Sequence, residues 1–174
     1  MTDKPYTCPY CNHGFLREST LTVHVCEQKR RAFAQQEKHV IIAFDTFKRF
    51  FNTIQKNTKE KTYDDFCKSQ YYTAFVKFGS YVNNVNPLYP DSFINYIVRS
   101  GIRIDNWCSD SVYDKYVMEL IRRESVETAL ERSITNMIKW ADSNNTSWEN
   151  YFNDVSLSRA TFDIKDGKIS VQSV

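Results

Sequence analysis

One spacing near the start of the chain constrains its fold more than any other feature. Tyr6, Cys8, Cys11, Phe15, Leu21 and His24 follow one another in an order that a metal ion makes useful. Two thiolates on a tight turn can grip one side of a tetrahedral ion, and an imidazole on a following helix can close the other side. Phe15 and Leu21 then make a minute core that metal binding completes, because so few apolar residues hold no fold alone. Zinc is the ion this donor set suits. A lone Cys-x2-Cys could also be a redox pair, but no βαβ pattern surrounds this one.

The stretch Tyr6 to His24 resembles the two-Cys two-His finger family with one His replaced or displaced. The resemblance implies a ββα module, structural zinc and often DNA or protein binding. That family places its fourth ligand where this chain has Gln28, Lys29 or Arg30, and none of these suits zinc. Cys26 is the nearest donor, with His13 and His39 as competitors. Residues two apart on a regular helix point to nearly opposite sides, so His24 and Cys26 can share a metal only if the helix ends between them. Cys8, Cys11, His24 and Cys26 are therefore the expected ligands, with an irregular turn at Val25.

The chain has 174 residues, enough for one hydrophobic core beside a small metal module. Its five cysteines are an odd number, and Cys67 and Cys108 stand alone, which argues against a disulfide framework and for a reducing, cytoplasmic setting. The polar start leads straight into the metal motif and no apolar run reaches the length of a membrane span, so neither a secretory leader nor a membrane partner is expected. Residues 1 to 61 hold 11 Lys and Arg against 6 Asp and Glu, while the remainder holds 12 against 15. A basic N-terminal part can meet a polyanion while a mildly acidic remainder faces protein.

Four Gly and four Pro leave few breaks, so the expected fold is mainly α. Three domains are expected: a ββα zinc finger over residues 1–26, a charged connecting helix over 27–39 and a helical domain of five to six helices over 40–174. In the connecting helix Phe33 is the one large apolar residue, as on a solvated helix or a surface for a partner. Val40, Phe44, Phe47, Phe51 and Ile54 recur at three and four, predicting a core helix that ends near Asn57. Thr62 caps a second helix running through Val82, Asp91 caps a short one stopped at Gly101, and Ser109 and Ser125 open two more. The Ser125 helix is read with Val126, Ala129, Leu130, Ile134, Met137, Ile138 and Ala141 on its core face. Trp148 to Val155 forms a last short helix, and Phe162 to Val171 around Asp166-Gly167 reads as a small C-terminal hairpin.

Docked as in its family, the finger would present Arg17, Thr20 and Val23 to base edges. That is thin readout, about three base pairs for one finger. Lys29, Arg30 and Arg31 follow the metal motif directly and are the natural phosphate contacts. No nucleophile elbow or phosphate-cradling Gly-rich loop occurs, and the three His all fall in the first 39 residues. Asp105, Asp110, Asp114 and Glu119 fit helix-start acids better than a nuclease centre. Neither catalysis nor a small-molecule substrate is expected. With 12 Phe and 11 Tyr, some rings are candidates for stacking or protein docking, Tyr71, Tyr72, Tyr89 and Tyr96 first among them.

The strings beginning at His24, Tyr72 and Ala129 resemble uncharacterised zinc-finger proteins of large tailed bacteriophages. The resemblance implies a viral protein acting in a host cytoplasm or carried in a virion. The expected function is a non-catalytic zinc-finger accessory protein that binds DNA or RNA in a phage replication or transcription machine. The alternative is a protein-interaction adaptor or structural component of a phage assembly, with the finger as a folding staple.

Overall fold

The computed structural model describes residues 4–54 and 60–171. It is mainly α, with ten α-helices among the described residues and one two-stranded sheet. None of the described helices is long and apolar enough to cross a membrane. The chain groups into two compact units, Met1–Asn86 with Ile97–Cys108, and Pro87–Tyr96 with Ser109–Val174. The finger and the connecting segment thus share a unit with the helices that follow them, and residues 40–174 divide between the two.

The first unit begins with strands β1 (Tyr6–Thr7) and β2 (Gly14–Phe15) and helix α1 (Glu18–Val23). Helix α2 (Glu27–Phe33) and a 3-10 turn lead to α3 (Lys38–Ile54); the expected helix end near Asn57 lies outside the described residues. Val40 and Phe47 of α3 are buried, as the spacing predicts, and Ala43 with them, whereas Ile54 at the end of the helix is exposed. A capping box at Thr62 and Asp65 starts α4 (Tyr63–Lys68), and α5 (Tyr72–Val85) follows. One continuous helix was expected here, but Ser69 takes an extended backbone and its hydroxyl accepts the Tyr71 N–H at 3.1 Å, which breaks it in two. Trp107 closes this core, its ring 5.2 to 5.6 Å from those of Phe50, Phe75 and Phe78.

Helices α3 and α5 approach so closely that only glycine fits at position 79. A Cβ there would lie 2.1 Å from the His39 carbonyl oxygen and 3.0 Å from the Ala43 nitrogen. Both are backbone atoms, so relief requires the helices to part. Gly79→Ala is expected to lower stability by about 3 kcal/mol, the upper part of the overpacking range, read as a reduced urea midpoint.

Helix α6 (Pro90–Arg99) has proline in its first turn, and Gly101 follows it with φ +69°. In the second unit Phe93 packs against Tyr113 and Tyr116 of α7 (Asp110–Arg123), and the Tyr116 hydroxyl donates to the Leu88 carbonyl at 2.8 Å. Burial pushes the Tyr116 hydroxyl well above its ordinary pKa, keeping it a donor. Ser125 caps α8 (Val126–Asn144), whose buried residues are Ala129, Arg132, Ser133, Met137 and Ala141. Ala129, Met137 and Ala141 are buried as expected, whereas Ile134 and Ile138 are exposed and Arg132 and Ser133 take their place, so the core face is turned to one side of the expected one. Two polar side chains make that rotation affordable. Arg132 forms a buried ion pair with Glu124, and Ser133 donates to the Ala129 carbonyl while accepting the Ser170 N–H, both at 2.8 Å.

Short helix α9 (Tyr151–Asp154) and α10 (Leu157–Lys165) complete the unit. The expected C-terminal hairpin is absent. Ser156 caps α10 and helix continues through Phe162 and Ile164, after which Gly167 at φ +73° ends it. Its N–H donates to the Ile164 carbonyl at 3.0 Å, and the Lys168 N–H donates to the Asp163 carbonyl at 2.8 Å. Those paired bonds are a Schellman stop, so Asp166-Gly167 terminates a helix instead of turning a hairpin. Ile169 then returns to a cluster with Met137 and Tyr151.

Candidate metal centre and its basic flank

The finger is built on a tight turn. Tyr6 pairs with Phe15 and Thr7 with Gly14, and between them the Cys8 N–H donates to the His13 carbonyl and the Asn12 N–H to the Cys8 carbonyl, both at 2.9 Å. Asn12 adopts φ +58°, a conformation asparagine tolerates better than most residues. This turn carries Cys8 and Cys11. Helix α1 stops at Val23, His24 and Cys26 both take extended backbone, and α2 starts at Glu27 with Cys26 as its N-cap. Leaving the helix removes the angular conflict between His24 and Cys26.

The four donor atoms of Cys8, Cys11, His24 and Cys26 lie within 4.8 Å of one another. Cys8 Sγ is 4.0 Å from Cys26 Sγ, and Cys11 Sγ is 3.3 Å from His24 Nε2. A tetrahedron with metal–sulfur bonds of about 2.3 Å and a metal–nitrogen bond of about 2.0 Å has edges of roughly 3.5 to 3.8 Å. The cluster can therefore hold a metal ion with only small adjustments. Among the described residues it is the one group of three or more His, Cys, Asp or Glu placed to do so, and the acids from Asp105 to Glu119 form no second one. His13 stacks near His24 at 6.4 Å without joining the set, and His39 faces Glu37 at 3.4 Å.

Burial pushes the Cys8 thiol up, but the N–H groups of Cys11 and Tyr10 and the neighbouring thiols bring it below its ordinary pKa. At Cys11 the His13 N–H lowers the value, yet burial and the Cys8 and Cys26 thiols leave it raised. Crowded sulfurs that resist ionising together are what a cation relieves. The Lys29 N–H donates to Cys26 Sγ at 3.4 Å, and the Lys29 ammonium donates to the His24 carbonyl at 3.3 Å. Both candidate ligands past the turn are thus supported by the first turn of α2.

Phe15 and Leu21 are only half-buried, and α1 buries no residue at all. Arg17, at the N-cap of α1, and Thr20 are exposed, as is Val23. Arg30 is exposed and Lys29 half-buried, but Arg31 does not join them in a free cationic surface. Its side chain is 17% exposed and paired with Glu27; it donates to the Cys67 carbonyl at 2.8 Å and lies over the Tyr72 ring at 4.4 Å. The Tyr63 hydroxyl also donates to the Arg31 carbonyl at 2.6 Å. Arg31 is a clamp fastening α2 to α4 and α5, which corrects its expected role as a phosphate contact. Tyr72 is buried beneath it and Tyr96 packs at a tilt against Tyr116, whereas Tyr71 and Tyr89 are exposed. The exposed ring pair next to the metal centre is Tyr10 and Phe33, 6.1 Å apart. Its one signal in the sequence was a lone Phe on a charged helix.

A two-stranded hairpin, a short helix and four converging sulfur and nitrogen donors are compatible with a zinc finger. No protein-family model, curated protein or solved structure matches the chain.

Proposed function

We propose that this is a non-catalytic, zinc-binding accessory protein that holds nucleic acid through its finger and the first turn of α2. Three thiolates and one imidazole at tetrahedral spacing suit zinc, which here serves as a structural ion. The observation that carries the nucleic-acid reading is the exposure of Arg17, Thr20 and Arg30 around a module that otherwise buries almost nothing. Arg17 and Thr20 supply base-edge contacts, while Arg30 and Lys29 supply phosphate contacts. The setting, a phage replication or transcription machine, rests on the resemblance of the strings at His24, Tyr72 and Ala129.

Fluorescence anisotropy with labelled DNA and RNA at two salt concentrations tests this. Arg30→Ala is expected to weaken binding uniformly across sequences and to flatten the salt dependence by about one unit of slope. Arg31→Ala is expected to lower stability instead. Absence of binding at low salt would overturn the proposal.

A protein-interaction adaptor is the second reading, and it would use the same surface beside the finger. A groove of about 750 Å³, largely apolar, opens beside the finger between α2 and α5, lined by Val25, Phe33, Ala34, Tyr72 and Val76.

A further inference from the structure

We infer that this groove takes single-stranded nucleic acid, with a base stacked on Phe33. The inference rests on the nucleic-acid reading above and names the form of nucleic acid that the site accepts. Phe33 ends α2 and is 68% exposed, a large apolar ring left in water. The Tyr10 ring, 37% exposed, stands 6.1 Å away and tilted by 46°, so the two are not stacked on each other. Lys29 and Arg30 line the same groove and provide positive charge along it. Of the two carboxylates there, Glu27 is committed to Arg31 and Glu37 faces His39 at 3.4 Å. A cationic edge beside an open aromatic ring is the arrangement that holds single strands, since phosphates follow the charge and every base has a face to stack.

The volume lies within the roughly 300–1,000 Å³ of ligand clefts, room for a base and its sugar. A duplex has its base faces already stacked and offers them to no ring. Its phosphates can reach Lys29 and Arg30, but Phe33 contributes nothing to that contact. Single strands and duplexes are therefore separated by their dependence on Phe33.

The test uses the full zinc-loaded chain with a short fluorescein-labelled oligo(dT) and a blunt duplex of equal length. Oligo(dT) is expected to bind more tightly. Phe33→Ala should weaken its binding by about 5- to 150-fold, the effect of one base–aromatic stack, without changing the salt slope. Phe33→Trp should preserve binding and Phe33→Leu should not, because the ring and not its hydrophobicity is required. Phe33 is exposed, so these variants should keep their zinc content and helical circular dichroism. Unchanged oligo(dT) affinity in Phe33→Ala, or full affinity in Phe33→Leu, would overturn the inference while leaving the nucleic-acid reading intact. Capture of an acidic amphipathic peptide lost in Phe33→Ala, with oligo(dT) unaffected, would assign the groove to protein. Failure of both nucleic-acid probes at low salt would remove the parent reading as well.

Discussion

Chelation of zinc is expected to unfold residues 6–26 while the helices of both units persist. The finger has little else to hold it: Cys8 is its one buried residue among those described, and Phe15 and Leu21 are half-exposed. Structural zinc contributes on the order of 10–16 kcal/mol to modules of this kind, far more than their apolar contacts. The core around Phe47, Phe75, Phe78 and Trp107 involves none of the ligands. Elemental analysis should find one zinc per chain, sharply reduced in Cys26→Ser and retained in His13→Ala and His39→Ala. Full zinc in Cys26→Ser together with loss in either His variant would identify the wrong fourth ligand. Cys26 also caps α2, and serine is a good cap, so Cys26→Ser removes the metal bond and keeps the cap. Cys26→Ala removes both and should cost about 1 kcal/mol more.

Glu124→Ala is expected to destabilise the second unit by about 3–5 kcal/mol, a large share of a typical domain's stability. Arg132 is buried in α8, with Nε donating to Glu124 Oε2 at 3.3 Å and a second, shorter bond from Nη2 to Oε1. Its Nη1 atom is buried without a partner, so losing Glu124 strands a guanidinium with no second acceptor. Glu124 ends α7 and stands just before Ser125, the cap of α8, where a negative charge also suits the positive helix start. Because the penalty lies in the uncompensated charge, the double variant Glu124→Leu with Arg132→Met should recover most of the loss. Urea unfolding followed by near-ultraviolet circular dichroism measures both. A double variant no more stable than Glu124→Ala would show that the pair contributes through geometry that apolar side chains cannot replace.

The grouping of Cys8, Cys11, His24 and Cys26 was legible in the sequence because coordination restricts both donor type and spacing, and the two-residue gap between His24 and Cys26 required the helix break that the backbone adopts. The helices from Lys38 to Asn144 were legible where apolar periodicity and capping residues agreed, as at Thr62 and Ser125. On α8 periodicity found Ala129, Met137 and Ala141 but not the turn of the buried face away from Ile134 and Ile138, since Arg132 and Ser133 enter the core on the strength of bonds to Glu124 and Ser170. Nor could it separate a hairpin turn from a Schellman stop at Asp166-Gly167, because both ask for a positive φ. The clamp made by Arg31 was beyond sequence patterning altogether. Its acceptors at Cys67 and Ser69 are separated from it by 36 and 38 residues, and only the fold brings them near.

That clamp bears on how a finger with the proposed function would search for a target. Fingers strung on pliable linkers swivel independently and follow a groove by small adjustments of the joint. Here Cys26, the candidate fourth ligand, is also the cap of α2, and five residues later Arg31 bolts that helix to the ends of α4 and α5. The joint has been replaced by a bracket. Under the proposed function, a strand that reaches Arg17 and Thr20 would have to accept the heading the bracket imposes, so recognition would depend on the approach angle of the whole first unit, and lengthening the chain at Gln28 would disturb it more than changing any contact residue.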